Sequence, residues 1–344
     1  MSTLNGPGTK SQDWHLAPNA LVSMLPIAFD EHFDVARLAT LAKTPDPLFV
    51  ADLSAPGIDE RLAQVEVLFT GWGTATLSSQ ILDRMPRLRA VLHCAGTVKG
   101  LVEADFWRRG IVLTNCVEQN ARPVAQFALA CIILAGKKAL WPRRDLPGDW
   151  DEMVSVGGLG NNGITVGVVG FSRVGRQLVQ LLRQTLDCTV LVYDPYADPA
   201  AVTAGGGQPS ELDELLRASD VLTLHAPDTP ETQRMIGRRE LALLRDGACV
   251  LNTARGALID HRALAAECGS GRLLAALDVT DPEPLPTDSV LRRLPNVALT
   301  PHVAGSLGNE IDLLCGAALD SLQALREGRT PADLVDPHVL EISA

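Results

Sequence analysis

Short apolar runs recur early in the chain at residues 20–24, 48–50, 65–70, 89–93 and 111–114, separated by helix-compatible segments such as 59–64 and 76–84. Their alternation predicts strands of a parallel sheet joined by helices. From Ala121 the texture changes: residues 121–140 carry apolar side chains on nearly every helical face, predicting one long, mostly buried helix that links two domains or seals a subunit contact. Between Trp141 and Asn162 Pro, Gly, Asn and Asp dominate, and an extended arm is expected there. A second alternation follows, with strands expected at 164–169, 189–193, 221–224, 248–252, 274–278 and 297–300, six β/α units that fit a doubly wound sheet. Helical spacing returns at 309–326, a segment expected to pack back on the first domain.

The length of 344 residues agrees with two domains at ~150 residues each. Hydrophobic residues make up 46% and charged residues 21%, enough apolar material for two cores, while aromatics are only 4% and favour helices on β-branched strands over a sandwich. A net charge of -11 has the wrong sign for phosphate backbones or anionic lipid, so no nucleic-acid or membrane partner is expected. The seven cysteines are scattered and never spaced Cys-x-x-Cys, which points away from a disulfide framework and from a metal site. The N-terminal stretch is polar and lacks a signal pattern, and the most apolar run, 124–136, is too short for a bilayer. A cytoplasmic protein is the expectation.

Directly after the run TVGVV stands Gly170-Phe171-Ser172-Arg173-Val174-Gly175, leading into an amphipathic helix. This is a Gly-x-Ser-x-x-Gly form of the dinucleotide fingerprint: the first glycine permits a tight turn, amides at the helix N-terminus face the pyrophosphate, and the last glycine lets helix and strand approach. Ser172 is larger than the usual middle glycine, though its hydroxyl is able to donate to phosphate. A glycine pattern alone also describes a turn that binds nothing. Nineteen residues past Gly175, at a strand end, Asp194 supplies the carboxylate that accepts ribose hydroxyls and repels a 2′-phosphate, favouring NAD over NADP.

Three later segments place an ionisable residue just beyond an expected strand, on the edge where open α/β sheets bind ligands: NTARG with Arg255, DVTDPEP with Glu283, and TPHVAG with His302. Arginine suits bidentate capture of a carboxylate. Histidine exchanges a proton near neutral pH, and a glutamate bonded to it fixes the tautomer and favours the imidazolium. Taken singly, each is equally a solvated charge or a loop cap.

In this order and spacing, GFSRVG with YDPY, LHAPDTPET, NTARGALID, ALDVTDPEPLP and LTPHVAGS resemble the D-isomer-specific 2-hydroxyacid dehydrogenases, over residues 90 to 305. The resemblance implies a Rossmann NAD domain, residues 120–309, inserted in a flavodoxin-like substrate domain split into 1–119 and 310–344. It implies Arg255, Glu283 and His302 as catalytic residues. It also implies an NAD site lined by Gly170, Ser172, Arg173, Val174, Gly175, Asp194, His225, Ala226, Pro227, Thr232, Thr253, Ala254, Arg255, Asp278, His302 and Gly305, with Asp278 near the nicotinamide carboxamide. Gly96, Thr97 and Val98, with Arg255, take the place of the family's carboxylate-binding groups. The implied partners are a small anionic 2-hydroxy or 2-oxo acid and a second copy in a homodimer. Three departures bear on substrate rather than reaction: Lys99 follows where aspartate is common, Gln126 replaces glutamate, and Ser172 replaces glycine. Phosphite and formate dehydrogenases share the scaffold, the latter with glutamine where Glu283 stands. So do NAD-responsive corepressors.

Overall fold

The computed structural model describes residues 14, 16–141 and 159–337. The expected arm at 141–162 falls mostly outside these, as does the polar N-terminal stretch. The chain divides into two compact units, one built from the described residues through Asn120 and from Ser306 onward, the other from Ala121–Gly305. The division lies at 120/121 and 305/306, against expected borders at 119/120 and 309/310.

The first unit is a four-stranded parallel sheet in the order β1 (Ala20–Ser23), β2 (Val67–Thr70), β3 (Ala90–His93), β4 (Val112–Thr114). Residues 48–50, expected as a full strand, make only a parallel bridge from Phe49 to Val22, with Val50 N donating to Val22 O at 2.9 Å. Pro47, which lacks an N–H, limits the pairing there. Counting that segment, the chain order across the sheet is 2-1-3-4-5, the flavodoxin-like winding. The period-two alternation sorts the strands onto two cores: Val22, Phe69 and Leu92 pack with Leu319 and Leu322 of the helix Ile311–Arg326, while Leu21, Leu68 and Val91 pack with Phe106 and Leu113. Each such side chain contributes roughly 1.5–3 kcal/mol on burial.

The second unit is a seven-stranded, all-parallel sheet. Its strands are β5 (Thr165–Val169), β6 (Thr189–Tyr193), β7 (Gln208–Pro209), β8 (Val221–Leu224), β9 (Cys249–Asn252), β10 (Leu274–Leu277) and β11 (Val297–Leu299), in the order β11-β10-β9-β8-β5-β6-β7. The six expected strands lie within a residue or so of their positions. The seventh, β7, is two exposed residues ending in proline, tolerable only on an edge and invisible as an apolar run. The strand order reverses between β5 and β8, the point at which doubly wound sheets open a ligand crevice. The long helix runs Val117–Gly136 and starts a turn before the expected Ala121. Pro123 lies inside this helix, in its second turn. Among the described residues no helix is long and apolar enough to cross a membrane.

Two histidines end central strands in full burial. His93 Nδ1 lies 2.9 Å from Thr70 Oγ1, and desolvation pulls the ring down to about 4. His225 Nε2 lies 2.9 Å from Thr223 Oγ1, and desolvation pulls it to about 3. In the unfolded chain both rings take a proton below ~6.5, whereas the folded protein keeps them neutral. Stability is therefore full above pH 6.5 and falls as pH drops toward 4, by roughly 1.4 kcal/mol per pH unit for each ring. Urea unfolding midpoints measured from pH 7.5 to 4.5 are expected to decline, and His225→Gln to flatten the decline; a midpoint independent of pH contradicts the assignment.

Candidate active site

The first part of the site is the turn that leaves β5. Gly170 adopts φ +98°, and a Cβ there would sit 2.6 Å from Ala226 N and from His225 C, so the turn presses on the chain leaving β8 in a way only glycine allows. Ser172 caps the helix Arg173–Thr185, its Oγ accepting from Gly175 N at 3.3 Å. The hydroxyl read in sequence as a phosphate donor is thus first of all a helix cap. A Cβ on Gly175 would overlap the Gly170 carbonyl, which explains the last glycine. The N–H groups at the start of this helix, around Arg173 and Val174, belong to the set a helix leaves without intrahelical acceptors.

Asp194 follows β6 and closes on the same turn: Oδ2 accepts from Phe171 N at 2.7 Å and Oδ1 from Tyr196 N at 2.9 Å. Each oxygen retains a lone pair. Beyond β8, His225 and Ala226 form the wall against which Gly170 turns, and Pro227 follows them. Thr232 stiffens that segment, donating from Oγ1 to Pro227 O at 2.6 Å and accepting from Thr229 N at 2.9 Å. A side-chain-free cradle, a helix N-terminus and an acid held beside them fit the pyrophosphate and ribose of a dinucleotide.

The second part is built at the ends of β9, β10 and β11. Asn252, fully buried, folds the chain back: Nδ2 donates to Arg255 O at 2.8 Å and Oδ1 accepts from Ala254 N at 3.0 Å. Within this turn Thr253 carries a buried Oγ1 with no hydrogen-bond partner among the described residues, an orphan that a ligand would satisfy. Arg255 donates from Nη1 to Ala254 O at 2.6 Å. A Cβ on Gly256 would overlap the Thr280 backbone, so the turn carrying Arg255 lies directly on the segment leading to Glu283.

Asp278, just past β10, is buried at 3% exposure and grips the next turn. Oδ1 accepts from Thr300 Oγ1 at 2.5 Å and from Val303 N at 2.9 Å, Oδ2 accepts from Ala304 N at 2.9 Å, and its carbonyl accepts from His302 N at 2.9 Å. The held turn puts His302 at φ +57°, rare for a residue other than glycine, with a half-exposed ring. Its Nδ1 meets Glu283 Oε1 at 2.6 Å. That leaves Nε2 without a protein partner among the described residues. Gly305 ends the segment.

Of the residues singled out in sequence, those from Gly170 to Gly305 gather at the C-terminal strand ends of the second unit. Gly96, Thr97 and Val98 belong to the first, in the loop after β3. There Cys94 N donates to Thr70 O at 2.7 Å, Cys116 N to Ala95 O at 2.9 Å, and Leu101 N to Val98 O at 3.0 Å. Lys99 is exposed, its N–H donating to Thr97 Oγ1 at 3.2 Å. Sequence reasoning passed over Asn252, Gly256 and Thr300. The available signal was position: each adjoins a strand end or an ionisable residue already chosen.

Residues 136–304 match the family model described as D-isomer specific 2-hydroxyacid dehydrogenase, NAD binding domain. Over 303 residues the chain is 32% identical to the D-3-phosphoglycerate dehydrogenase of Mycobacterium tuberculosis, a match covering 87% of this chain and 57% of that protein. The chain thus spans little more than half of that relative's length. Over 295 residues it is 28% identical to the glyoxylate reductase of Thermococcus litoralis, covering 83% of this chain and 87% of that one. The solved structure of TT0316 protein from Thermus thermophilus shares the fold at a TM-score of 0.69 and 29% identity, covering 92% of this chain and all of that one. By the match to that family model, residues 136–304 carry the NAD binding domain of the D-isomer specific 2-hydroxyacid dehydrogenase family.

Proposed function

We propose that the protein interconverts a D-2-hydroxy acid and the corresponding 2-oxo acid, with NAD as cofactor. The observation that carries this is the 2.6 Å pairing of His302 Nδ1 with Glu283 Oε1, on a turn packed beside that of Arg255, in the sheet whose β5 turn fits a dinucleotide. The helix N-terminus at Arg173 and Val174, with Gly170, Ser172 and Gly175, holds the pyrophosphate, and Asp194 the ribose. His225, Ala226, Pro227, Thr232, Thr253, Ala254, Asp278 and Gly305 line the rest.

Bound NAD supplies the hydride for reduction and accepts it in oxidation. Arg255, planar and permanently charged, binds the substrate carboxylate and stabilises the negative charge that develops on the C2 oxygen. Glu283 accepts from Nδ1–H and fixes the orientation of the ring, so that Nε2 faces outward as the proton-transferring atom. His302 gives a proton from Nε2 to the C2 oxygen during reduction and takes it back during oxidation. Gly96, Thr97 and Val98 form a second carboxylate-binding element, complete within its own unit. The long helix Val117–Gly136 leaves Leu134 42% exposed, a contact suited to a second copy in a two-fold dimer.

NADH oxidation is expected with at least one acid from a panel of 2-oxo acids; tight NADH binding with no turnover of any acid contradicts the reaction. In His302→Gln, kcat is expected to fall by about 10²- to 10⁴-fold while NADH affinity stays near that of the parent protein. Full rate in this variant removes His302 from proton transfer. Asp194→Ser is expected to narrow the preference for NADH over NADPH, and an unaltered ratio rules out the ribose role.

A further inference from the structure

The residues gathered from Gly170 to Gly305 lie at the C-terminal strand ends of the second unit. The opposite, N-terminal edge of the same sheet carries a separate cavity of about 360 Å³. It opens between the end of the helix Arg173–Thr185, the start of β6 and the segment leading from the helix Pro199–Ala204 into β7. Thr189 begins β6 and Asp194 follows its last residue, so five residues at about 3.3 Å each, roughly 16 Å of strand, separate this cavity from the dinucleotide turn.

Two opposite charges line the cavity without meeting. Arg183 stands in the last turn of the helix, and Asp187 directly past the C-cap Leu186, whose extended backbone (φ -123°, ψ 145°) breaks the i, i+4 register that would pair the two. Among the described residues neither side chain has a hydrogen-bond or ion-pair partner. Both stand close to Cys188: burial pushes its thiol up, Arg183 draws it down, and Asp187 adds to the rise.

The walls are fixed by backbone. On one side Gly163 N donates to Asp187 O at 2.8 Å and Thr189 N to Ile164 O at 2.9 Å; on the other Gly206 N donates to Thr203 O at 3.0 Å and Gly207 N to Val202 O at 3.1 Å. Gly206 adopts φ +96°, and a Cβ there would fall 2.9 Å from Arg183 Cγ, so the stem of the arginine lies along a glycine and its charged head is left to the cavity. The remaining polar lining is neutral, from Thr189, Thr203 and Gln208.

This arrangement selects a ligand class. Phosphate gains Arg183 but is repelled by Asp187, and a metal ion gains Asp187 but is repelled by Arg183. A molecule with an ammonium and a carboxylate on one carbon satisfies both, the guanidinium fork taking the two carboxylate oxygens. The volume stands at the lower end of the range for small-molecule sites, about 300–1,000 Å³, which suits a molecule of that size. We propose that this cavity is a ligand site of its own, binding a free α-amino acid with an uncharged polar side chain, its carboxylate on Arg183, its ammonium on Asp187 and its side chain among Thr189, Thr203 and Gln208.

The test is isothermal titration calorimetry of the full chain at neutral pH. L-glutamine and L-threonine are expected to bind. N-acetyl-L-glutamine, which lacks the ammonium, and L-glutaminamide, which lacks the carboxylate, are expected to bind about 10-fold more weakly or less. Arg183→Gln and Asp187→Asn are each expected to weaken L-glutamine by about 10-fold or more, with a cooperative thermal transition like the parent's to verify the fold. No heat with either amino acid overturns the proposal. So does inorganic phosphate binding as tightly as L-glutamine, equal affinity for either derivative, or unchanged affinity in either folded variant. None of these outcomes touches the dehydrogenase reading, which NADH turnover decides separately.

Discussion

The carboxylate of Asp278 is the contact on which the C-terminal strand ends of the second unit depend. A buried carboxylate loses several kcal/mol of hydration unless donors replace the water. Here the three donors to the carboxylate come from one five-residue stretch, the Thr300 hydroxyl and the backbone amides of Val303 and Ala304. The compensation exists only while that stretch is wrapped around the carboxylate. Wrapping forces His302 into a left-handed backbone conformation that costs about 1–3 kcal/mol elsewhere, and the same conformation turns the ring toward Glu283. A burial requirement at the end of β10 thereby becomes an orientation requirement on an imidazole.

Asn252 does for Arg255 what Asp278 does for His302, one strand away, and the two are linked because Asp278 N donates to Asn252 O at 2.9 Å. Both devices are side chains at the C-terminal end of a parallel strand that bond forward to their own or the next turn. The chain's net charge of -11 has little bearing at this scale. On the proposed reading a small anion would meet the guanidinium and imidazole at contact distance, whereas surface carboxylates farther off are screened over about 8–10 Å.

Much of this was legible in the sequence. Apolar runs located ten of the eleven strands because most are buried on both faces and read as near-continuous runs, β6 and β11 being only partly buried; β7, polar and exposed, left no such trace. Gly170, Asp194, Arg255, Glu283 and His302 stood out because their chemistry is unusual at strand ends. Asn252 and Thr300 did not, since a polar side chain that bonds back to its own chain looks like any turn residue. Gly256 was equally opaque: its role is a contact with Thr280, twenty-four residues away, and no local pattern encodes that. Ser172 was read as a departure from the motif, and the structure gives it ordinary work as a helix cap.

The division of the chain carries a consequence for the order of assembly during synthesis. The second unit is one continuous stretch, Ala121–Gly305, and among the described residues its cores draw on none outside it. The first unit is discontinuous: Cys315, Ala318, Leu319, Leu322 and Leu325 of its C-terminal helix belong to the core beneath β1, β2 and β3. When a ribosome has delivered residue 305, the later-encoded unit holds every side chain it needs, while the earlier-encoded one still exposes the apolar face of its sheet. Vectorial synthesis therefore favours completion of the cofactor unit first and leaves the N-terminal sheet as the segment most in need of chaperone cover until the last helix emerges.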